Sequence, residues 1–396
     1  MKLGKDKIRN LLLKTKDIQQ IALGNVAGKA IIAVFWLYMA AVLGTENYGQ
    51  VNYLIALGAM GAGLSMVGTS NMLIIYTAKK VPIESTIYII GLSLGTISAI
   101  ILYIFSENII VSIFVFSYIF YNFGIAELLG KKEYKKYSII LIVQKILFVG
   151  LGLLFYNLIG FEGVVLGFGL SMLIFSSIVL KQLKNTKIDF KILKPRFGFM
   201  INNYALVIEK VLSAQVDKLI IAPIFGFSIL GNYALSMQIL AVATILPSIV
   251  FQYTLSQDAS GNYNNKMKKI SVIASVGMAG LAILLAPIVL PIVFPEYTEA
   301  VQLIQIVSLH VIPSSIILAY TSKLLGDEKS RYVLVGQGIS VGIYLSGIFT
   351  LGSIIGVNGI AISLVLAATA QAIFYIICTQ LIKNHENKSQ DQGKND

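Results

Sequence analysis

Four lysines lie inside long apolar runs of this sequence, where charged side chains are uncommon: Lys29, Lys145, Lys210 and Lys218. A charge at bilayer depth costs at least about 2.5 kcal/mol, so such a lysine normally faces a cavity or a partner. At 1.5 Å of rise per residue, Lys29 and Lys210 lie roughly 16 Å into their runs and Lys145 roughly 10 Å. We predict that these three line a cavity; the alternatives are structural ion pairs or snorkelling, which we expect for Lys218 near the far end of its run.

Polar side chains accompany two of these lysines at helical spacing. Asn25 precedes Lys29 by four residues, which places both on one face of a helix. Asn203 and Asp217 lie seven residues before and after Lys210, so the three fall on one side of a helix of about 3.6 residues per turn. We predict that Asn25 and Asn203 line the cavity together with the lysines.

Three titratable residues inside apolar runs could bind a coupling ion. Asp217 and Glu209 offer carboxylates for H⁺ or Na⁺, or they neutralise the neighbouring lysines. His310 is either a hydrogen-bonded packing residue or a proton relay. With two histidines and one cysteine in the chain, we expect no transition-metal site and no disulfide. No hydrolase, NTPase or metalloprotease motif is present, so we expect neither enzymatic activity nor a cofactor.

The composition excludes a water-soluble globular protein. Hydrophobic residues make up 56% of the chain and charged residues 13%, whereas soluble domains carry roughly 25% charged residues. The net charge of +12 does not indicate nucleic-acid binding, because the basic residues fall in short clusters between apolar runs. We therefore expect an all-α membrane protein that contacts membrane lipids and binds no nucleic acid.

Twelve apolar segments are long enough to cross a bilayer, which takes about 20 helical residues. They lie near 18–43, 50–77, 83–105, 109–129, 138–157, 161–180, 199–225, 229–257, 270–294, 298–325, 331–353 and 357–382. The longest gap is polar and basic and lies at the middle of the chain. This order predicts a basic leader, a six-helix bundle, a linker, a second six-helix bundle and a tail, at 1–17, 18–180, 181–198, 199–382 and 383–396.

The distribution of basic residues among the loops predicts the orientation. With the N-terminus in the cytoplasm, 27 of the 31 lysines and arginines lie in the leader, the cytoplasmic loops and the tail, and none lies in the outer loops. The outer loops hold acids instead, among them Glu46, Glu107 and Glu162. Losing one span would invert every later loop, so this asymmetry favours twelve spans with both termini in the cytoplasm.

Three motifs recur in the same order in the two halves of the chain. The pairs are LGTENYG with FGFSILG (43–49 and 225–231), LGKKEYKKY with LGDEKSRY (129–137 and 325–332), and GFEGVV with GVNGIA (160–165 and 356–361). The second and third pairs share one offset in the numbering, and the offset of the first pair is slightly shorter. Chance likeness between glycine-containing turns is the alternative, but ordered matches at a nearly constant offset favour two repeated halves. The cavity would then lie between two bundles.

The LGxxxYG motif and its later counterpart FGxxxLGNYA resemble the polysaccharide biosynthesis flippases, with matching residues at Gly44, Tyr48, Gly49, Gly226, Gly231 and Tyr233. These are the Wzx-type O-antigen and teichoic-acid exporters of the multidrug/oligosaccharidyl-lipid/polysaccharide (MOP) superfamily, and the resemblance spans the whole chain. It implies a MATE-like fold of two pseudo-symmetric six-helix bundles in the cell membrane.

The same resemblance implies a substrate and a role for the lysines. Such a flippase moves an undecaprenyl-diphosphate-linked oligosaccharide from the inner to the outer leaflet, and Lys29, Lys145 and Lys210 would hold the diphosphate. Its partners would be the lipid-linked oligosaccharide and other membrane proteins of polysaccharide assembly.

Two other functions stay open. A cation-coupled multidrug or small-molecule exporter of the same fold would favour acids in its cavity, whereas the excess charge here is lysine. A membrane glycosyl polymerase usually has a large outer loop with catalytic charges, and the outer loops here are only a few residues long.

Overall fold

The computed structural model describes residues 2–258, 264–327 and 329–392, and every regular element in these ranges is a helix. The α-helices are, in chain order, α1 (Lys2–Ser65), α2 (Thr69–Ala78), α3 (Glu84–Ser106), α4 (Ile109–Gly130), α5 (Tyr134–Ile159), α6 (Phe161–Met172), α7 (Ser176–Asn185), α8 (Phe197–Phe225), α9 (Phe227–Ala243), α10 (Ile245–Asp258), α11 (Asn265–Val293), α12 (Ala300–Ser308), α13 (Val311–Gly326) and α14 (Ser330–Gln392). Short 3-10 segments at Leu173–Phe175 and Phe190–Arg196 flank α7. The predicted all-α fold is confirmed.

Eight helical stretches of the described residues are long and apolar enough to cross a membrane, or nine if α9 and the start of α10, which meet at 41°, form one span. Two of the eight contain a break: α1 at Gly44, and α14 at Ile355 and Gly356. The 29-residue α8 is long enough to cross but carries four charged residues. Taking α9 with the start of α10 as one span, counting the halves of α1 and α14 separately and adding α8 gives the twelve predicted segments; a crossing by α8 stays a prediction.

The backbone repeats its geometry at the aligned glycines. Gly44 and Gly226, which align in the first repeated motif, have φ/ψ values of 69°/178° and 92°/166°. Gly160 and Gly356, which align in the third, have values of 75°/−151° and 64°/−146°. Residues with a side chain rarely adopt these conformations. The two halves of the chain therefore interrupt their helices at equivalent positions and in the same way, as the sequence repeat predicts.

In each half of the chain, the turn of the third repeated motif, at 160–163 and 356–359, also brings two helical segments into close contact. A Cβ atom at Gly163 would lie 2.1 Å from the carbonyl oxygen of Phe155, and one at Gly359 would lie 2.0 Å from that of Leu351. Gly163 and Gly359 are aligned within the third repeated motif, and at the same offset Phe155 aligns with Leu351 just before it. Small residues at helix contacts let membrane helices approach closely, so this glycine is required by packing in both halves.

We expect the Gly359→Ala substitution to lower stability by about 1–3 kcal/mol, because the new methyl group forces the backbone of α14 apart. The matched control is Gly342→Ala in the same helix, where a Cβ atom would meet nothing within 4 Å. The measurement is thermal unfolding of the purified variants in detergent. Equal melting temperatures for the two variants would contradict the close contact.

The chain forms two compact units, Met1–Leu230 and Gly231–Asp396. In the first unit, α8 packs along the second half of α1, where the Val211 side chain occupies the space beside Gly63. Because α8 begins the second sequence repeat, the boundary between compact units lies one helix later than the boundary between repeats. The six-helix bundles at 18–180 and 199–382 stay a prediction.

The helices of the first unit run in the directions that alternating spans require. The first half of α1 is parallel to α5, since Gly28 lies beside Lys145 and Phe35 contacts Phe148 farther along both helices. The consecutive helices α3 and α4 are antiparallel, as are α5 and α6. This arrangement places the first and fifth predicted spans side by side, and both carry a lysine of the candidate site.

Candidate functional site

Lys145 is the best-defined cation of the site. It lies in α5 about 16 Å from the start of the helix, and its side chain is half-buried. Its Nζ atom lies 5.5 Å from the ring centroid of Tyr121 and 5.9 Å from that of Phe168, and aromatic faces attract cations. None of the salt bridges in the described part of the chain involves Lys145. Its positive charge is therefore available to an anionic ligand.

The close packing of α5 on α6 positions Lys145. A Cβ atom at Gly167 would lie 2.6 Å from the backbone of α5, so only glycine allows this approach. The contact lets the Phe148 and Phe168 rings stack with centroids 4.3 Å apart. Next to Lys145, the Gln144 side chain donates a hydrogen bond of 2.8 Å to Ser171 Oγ. Both interactions hold the aromatic ring of α6 next to the ammonium group.

Lys29 lies at the level of Lys145 on the neighbouring helix. Gly28 is buried, and a Cβ atom there would lie 3.5 Å from Lys145 Cγ. Lys29 is the next residue and is exposed. Two of the three predicted lysines are thus on adjacent parallel helices at one depth. The side chain of Asn25 lies outside the described part of the structure.

Lys210 is exposed on α8. The helix α8 ends at Gly226, and α1 breaks at Gly44. The distance along the helix from Lys210 to Gly226 is nearly the same as that from Lys29 to Gly44. At 1.5 Å of rise per residue, the two lengths are about 24 Å and about 23 Å. Since the two glycines are equivalent in the repeat, the two lysines lie at nearly the same distance from equivalent breaks.

Asn203 and Asp217 are buried and contact other protein groups. Asn203 accepts a hydrogen bond of 3.1 Å from Asn71 Nδ2, which joins α8 to α2. Asp217 Oδ1 accepts a hydrogen bond of 2.8 Å from the backbone N–H of Lys218 and lies 3.3 Å from Lys218 Nζ. Lys218, for which we expected snorkelling, thus contributes to a salt bridge. The predicted role of Asn203 in lining the cavity and that of Asp217 in ion coupling stay predictions.

The remaining candidates are less defined by the structure. The side chain of Glu209 lies outside the described part. His310 is partly buried at the junction of α12 and α13, and its Nδ1 atom has no hydrogen-bond partner among the described residues. Its role as a proton relay stays a prediction. The described residues contain no group of three or more potential metal ligands.

The sequence does not reveal two salt bridges that each join a buried acid to a lysine. Asp258 forms a salt bridge with Lys268, and Glu127 forms one of 2.6 Å with Lys131 while accepting a hydrogen bond from Tyr88. The predicted topology places both lysines in cytoplasmic loops. The signal that could have revealed these pairs is an acid at the end of an apolar run and a lysine shortly after it. Lys268 follows Asp258 by ten residues, and Lys131 follows Glu127 by four.

Comparison with known proteins defines the class of fold. No family model matches the sequence, and no curated protein matches it. Solved structures do match, over nearly the whole chain, and they are membrane transporters of the MOP superfamily. At identities of 12–15% the likeness shows the fold, which makes this chain a multi-pass membrane protein with a MOP-type fold.

Three of these structures illustrate the range of the fold. An inward-facing multidrug resistance MATE family transporter has a TM-score of 0.63 and 15% identity, covering 93% of this chain and 96% of its own. The lipid II flippase MurJ in an inward closed conformation has a TM-score of 0.72 and 12% identity, covering 91% and 87%. A MOP superfamily transporter from Pyrococcus furiosus has a TM-score of 0.57 and 14% identity, covering 92% and 95%. Two of the three are transporters and the third is a flippase.

Proposed function

We propose that this protein is a flippase that moves an undecaprenyl-diphosphate-linked oligosaccharide, such as an O-antigen, capsule or teichoic-acid-like repeat unit, from the inner to the outer leaflet of the cell membrane. The observation that carries the proposal is Lys145, a half-buried cation with no salt bridge among the described residues. A diphosphate that enters an apolar region loses its hydration, and ammonium groups offset that cost.

The positions of the other two lysines support a shared role. Lys29 lies at the depth of Lys145, and Lys210 lies as far from its helix break as Lys29 does from the equivalent break. Three cations would match the charge of a diphosphate better than one. The described fold is also that of a lipid II flippase, which supports a lipid-linked substrate. We further propose that both termini are cytoplasmic, as the charge asymmetry of the loops favours.

A cation-coupled exporter is the second candidate, because MATE transporters share the fold. Such coupling needs an acid that can bind H⁺ or Na⁺. Of the four buried acids in the described residues, Asp217, Asp258 and Glu127 each form a salt bridge with a lysine, and Glu84 accepts a hydrogen bond of 3.1 Å from Thr77. Three of these four acids are neutralised by lysines, which makes them poor cation sites, so the charges favour the flippase; Glu84 is the buried acid of the described residues that an exporter could use. For the Pyrococcus furiosus transporter, a reversed polarity of the binding pocket suggests a different function.

The two functions can be separated in proteoliposomes that contain the purified protein. One set holds a fluorescent polyprenyl-diphosphate-linked saccharide in the bilayer, and a membrane-impermeant quencher reports how much of it stays accessible. The other set tests accumulation of a cationic dye under a proton or sodium gradient.

We expect the protein to accelerate movement of the chemically unchanged lipid-linked saccharide and to leave dye accumulation at the level of protein-free liposomes. Gradient-driven dye transport without lipid movement would identify an exporter. A change in the chemical structure of the saccharide would contradict a transporter of either kind.

A further inference from the structure

A basic cavity of about 610 Å³ lies in the second unit between α11, α13 and α14. Three lysines line it: Lys268 and Lys269 from the start of α11, and Lys323 from the end of α13. Asn265 and Tyr320 add further hydrogen-bonding groups. The predicted topology places these helix ends at the cytoplasmic surface, where the headgroups of the inner leaflet lie.

Two of the three lysines of this cavity are not balanced by acids among the described residues. Lys268 is 8% exposed and pairs with the carboxylate of Asp258, so these two charges cancel. Lys269 is exposed and Lys323 is half-buried, and no salt bridge to either of them occurs among the residues that the structure describes. The cavity therefore carries about two unneutralised positive charges on the described side chains.

A cavity of about 490 Å³ in the first unit differs in charge balance. It also contains three lysines, but Lys131 pairs with Glu127 at 2.6 Å and Lys136 pairs with Glu133 at 3.1 Å. The offset shared by the second and third repeated motifs aligns Glu127 with Lys323, so an acid of one cavity corresponds to a base of the other. Lys181 is thus the one lysine of the first cavity with no salt bridge among the described residues, against two in the basic cavity, and the larger excess of positive charge does not follow from the repeat.

Apart from Thr379 and Gln380, the remaining wall of the basic cavity is apolar, and it continues onto an exposed apolar surface. Ile273 lines the cavity and is 70% exposed. Beyond it, Leu284, Ile288 and Ile292 are exposed along α11 at helical spacing. Only 17% of the most apolar stretch of α11 is buried. From Ile273 to Ile292 the helix extends about 29 Å, close to the thickness of the hydrocarbon core.

We propose that this cavity binds the headgroup phosphate of an anionic phospholipid whose acyl chains lie along α11. Lys269 and Lys323 supply the charge that attracts the phosphate, and Ile273 begins the apolar surface that the chains contact. Basic pockets between membrane helices on the cytoplasmic side suit anionic headgroups. A free phosphate ion would gain nothing from the apolar wall. The site belongs to the second unit and does not depend on the substrate proposed above.

The test measures lipid binding to the purified protein in detergent by native mass spectrometry and by the shift of the melting temperature. The added ligands are phosphatidylglycerol, phosphatidylcholine and inorganic phosphate. The test variant is Lys269→Gln/Lys323→Gln, which leaves the buried Lys268–Asp258 pair intact. The matched control is Lys136→Gln/Lys181→Gln, which removes two lysines from the cavity of the first unit.

We expect the wild-type protein to bind phosphatidylglycerol more tightly than phosphatidylcholine and to show no comparable response to inorganic phosphate. Each lysine near an anionic headgroup contributes about fivefold in affinity, so the test variant should bind phosphatidylglycerol about 25-fold more weakly. The control variant should keep the wild-type affinity. Equal binding of both lipids, equal loss in both variants, or a full response to inorganic phosphate would overturn the proposal.

Discussion

The Lys145→Gln variant should translocate the lipid-linked saccharide about 10- to 100-fold more slowly than the wild-type protein, because a hydrogen bond to a charged group contributes about 1.5–3 kcal/mol. Lys145 is half-buried in α5, and aromatic rings rather than an acid hold its ammonium group. Glutamine keeps the polarity of the side chain and much of its length, and it removes the charge. The measurement is the initial rate of translocation in proteoliposomes with equal amounts of each variant.

The matched control is Lys135→Gln, in the same helix and ten residues earlier. Lys135 is exposed near the start of α5, so we expect nearly wild-type transport from this variant. Equal transport rates for the two variants would show that transport depends on Lys145 no more than on another lysine of α5.

Stability measurements separate a binding role of Lys145 from a structural one. Removing a partly buried charge that has no acidic partner relieves its desolvation cost. The melting temperature of Lys145→Gln should therefore equal or exceed that of the wild-type protein while transport falls. A lower melting temperature together with slow transport would show that Lys145 holds the fold together.

Lys29 and Lys210 extend the same experiment. We expect the double Lys29→Gln/Lys210→Gln variant to lose transport as well, since both charges lie near the depth of Lys145. Wild-type transport in the double variant would restrict the substrate contact to Lys145 and its aromatic neighbours.

The Asp258→Asn variant should lose about 3–5 kcal/mol of stability, the usual cost of breaking a buried ion pair. The neutral amide would leave the Lys268 ammonium group, which is 8% exposed, without its counter-charge. Ser322, which donates a hydrogen bond to the same carboxylate, still finds an acceptor in the amide oxygen. The loss should therefore come from the charge, and thermal unfolding in detergent measures it.

Two further variants test the cause of that loss. Adding Lys268→Met to Asp258→Asn removes both charges and should restore most of the stability, because apolar groups replace buried ion pairs at little cost. Glu133→Gln breaks the exposed salt bridge with Lys136, in which the lysine is 54% exposed and the glutamate 41%. This control should change stability by less than about 1 kcal/mol. A loss in Asp258→Asn no greater than in Glu133→Gln would contradict a buried pair that stabilises the second unit.

Much of the fold follows from the sequence, because membrane helices have a simple physical signature. About 20 apolar residues are needed for a crossing, and the backbone must satisfy its hydrogen bonds within each helix. The predicted segments therefore fall on the described helices, although four of them, at 50–77, 161–180, 229–257 and 298–325, each cover two. The glycine repeats at Gly44 and Gly226, and at Gly160 and Gly356, also correspond to similar backbone geometry, since a positive φ together with an extended ψ strongly favours glycine.

The pairing of charged groups could not be predicted in the same way. Lys131 and Lys268 resemble ordinary loop lysines in sequence, yet both pair with buried acids in the structure. Asn203 and Asp217 share the spacing of Lys210, but they are buried while Lys210 is exposed. Helical spacing reports which side of a helix a residue occupies, and it does not report which neighbouring helix covers that side.

The sequence by itself determined that this is a membrane protein of repeated apolar helices, and it singled out the lysines that lie within them. Length and hydropathy suffice for that, because the bilayer acts on each helix separately. Only the tertiary structure decided which of those charges are neutralised. Lys218 forms a salt bridge with Asp217, whereas Lys145 lies against Tyr121 and Phe168. The contacts of Lys145 depend on the packing of α5 against α6 through glycines and on neighbours distant in the chain, which local sequence patterns do not specify.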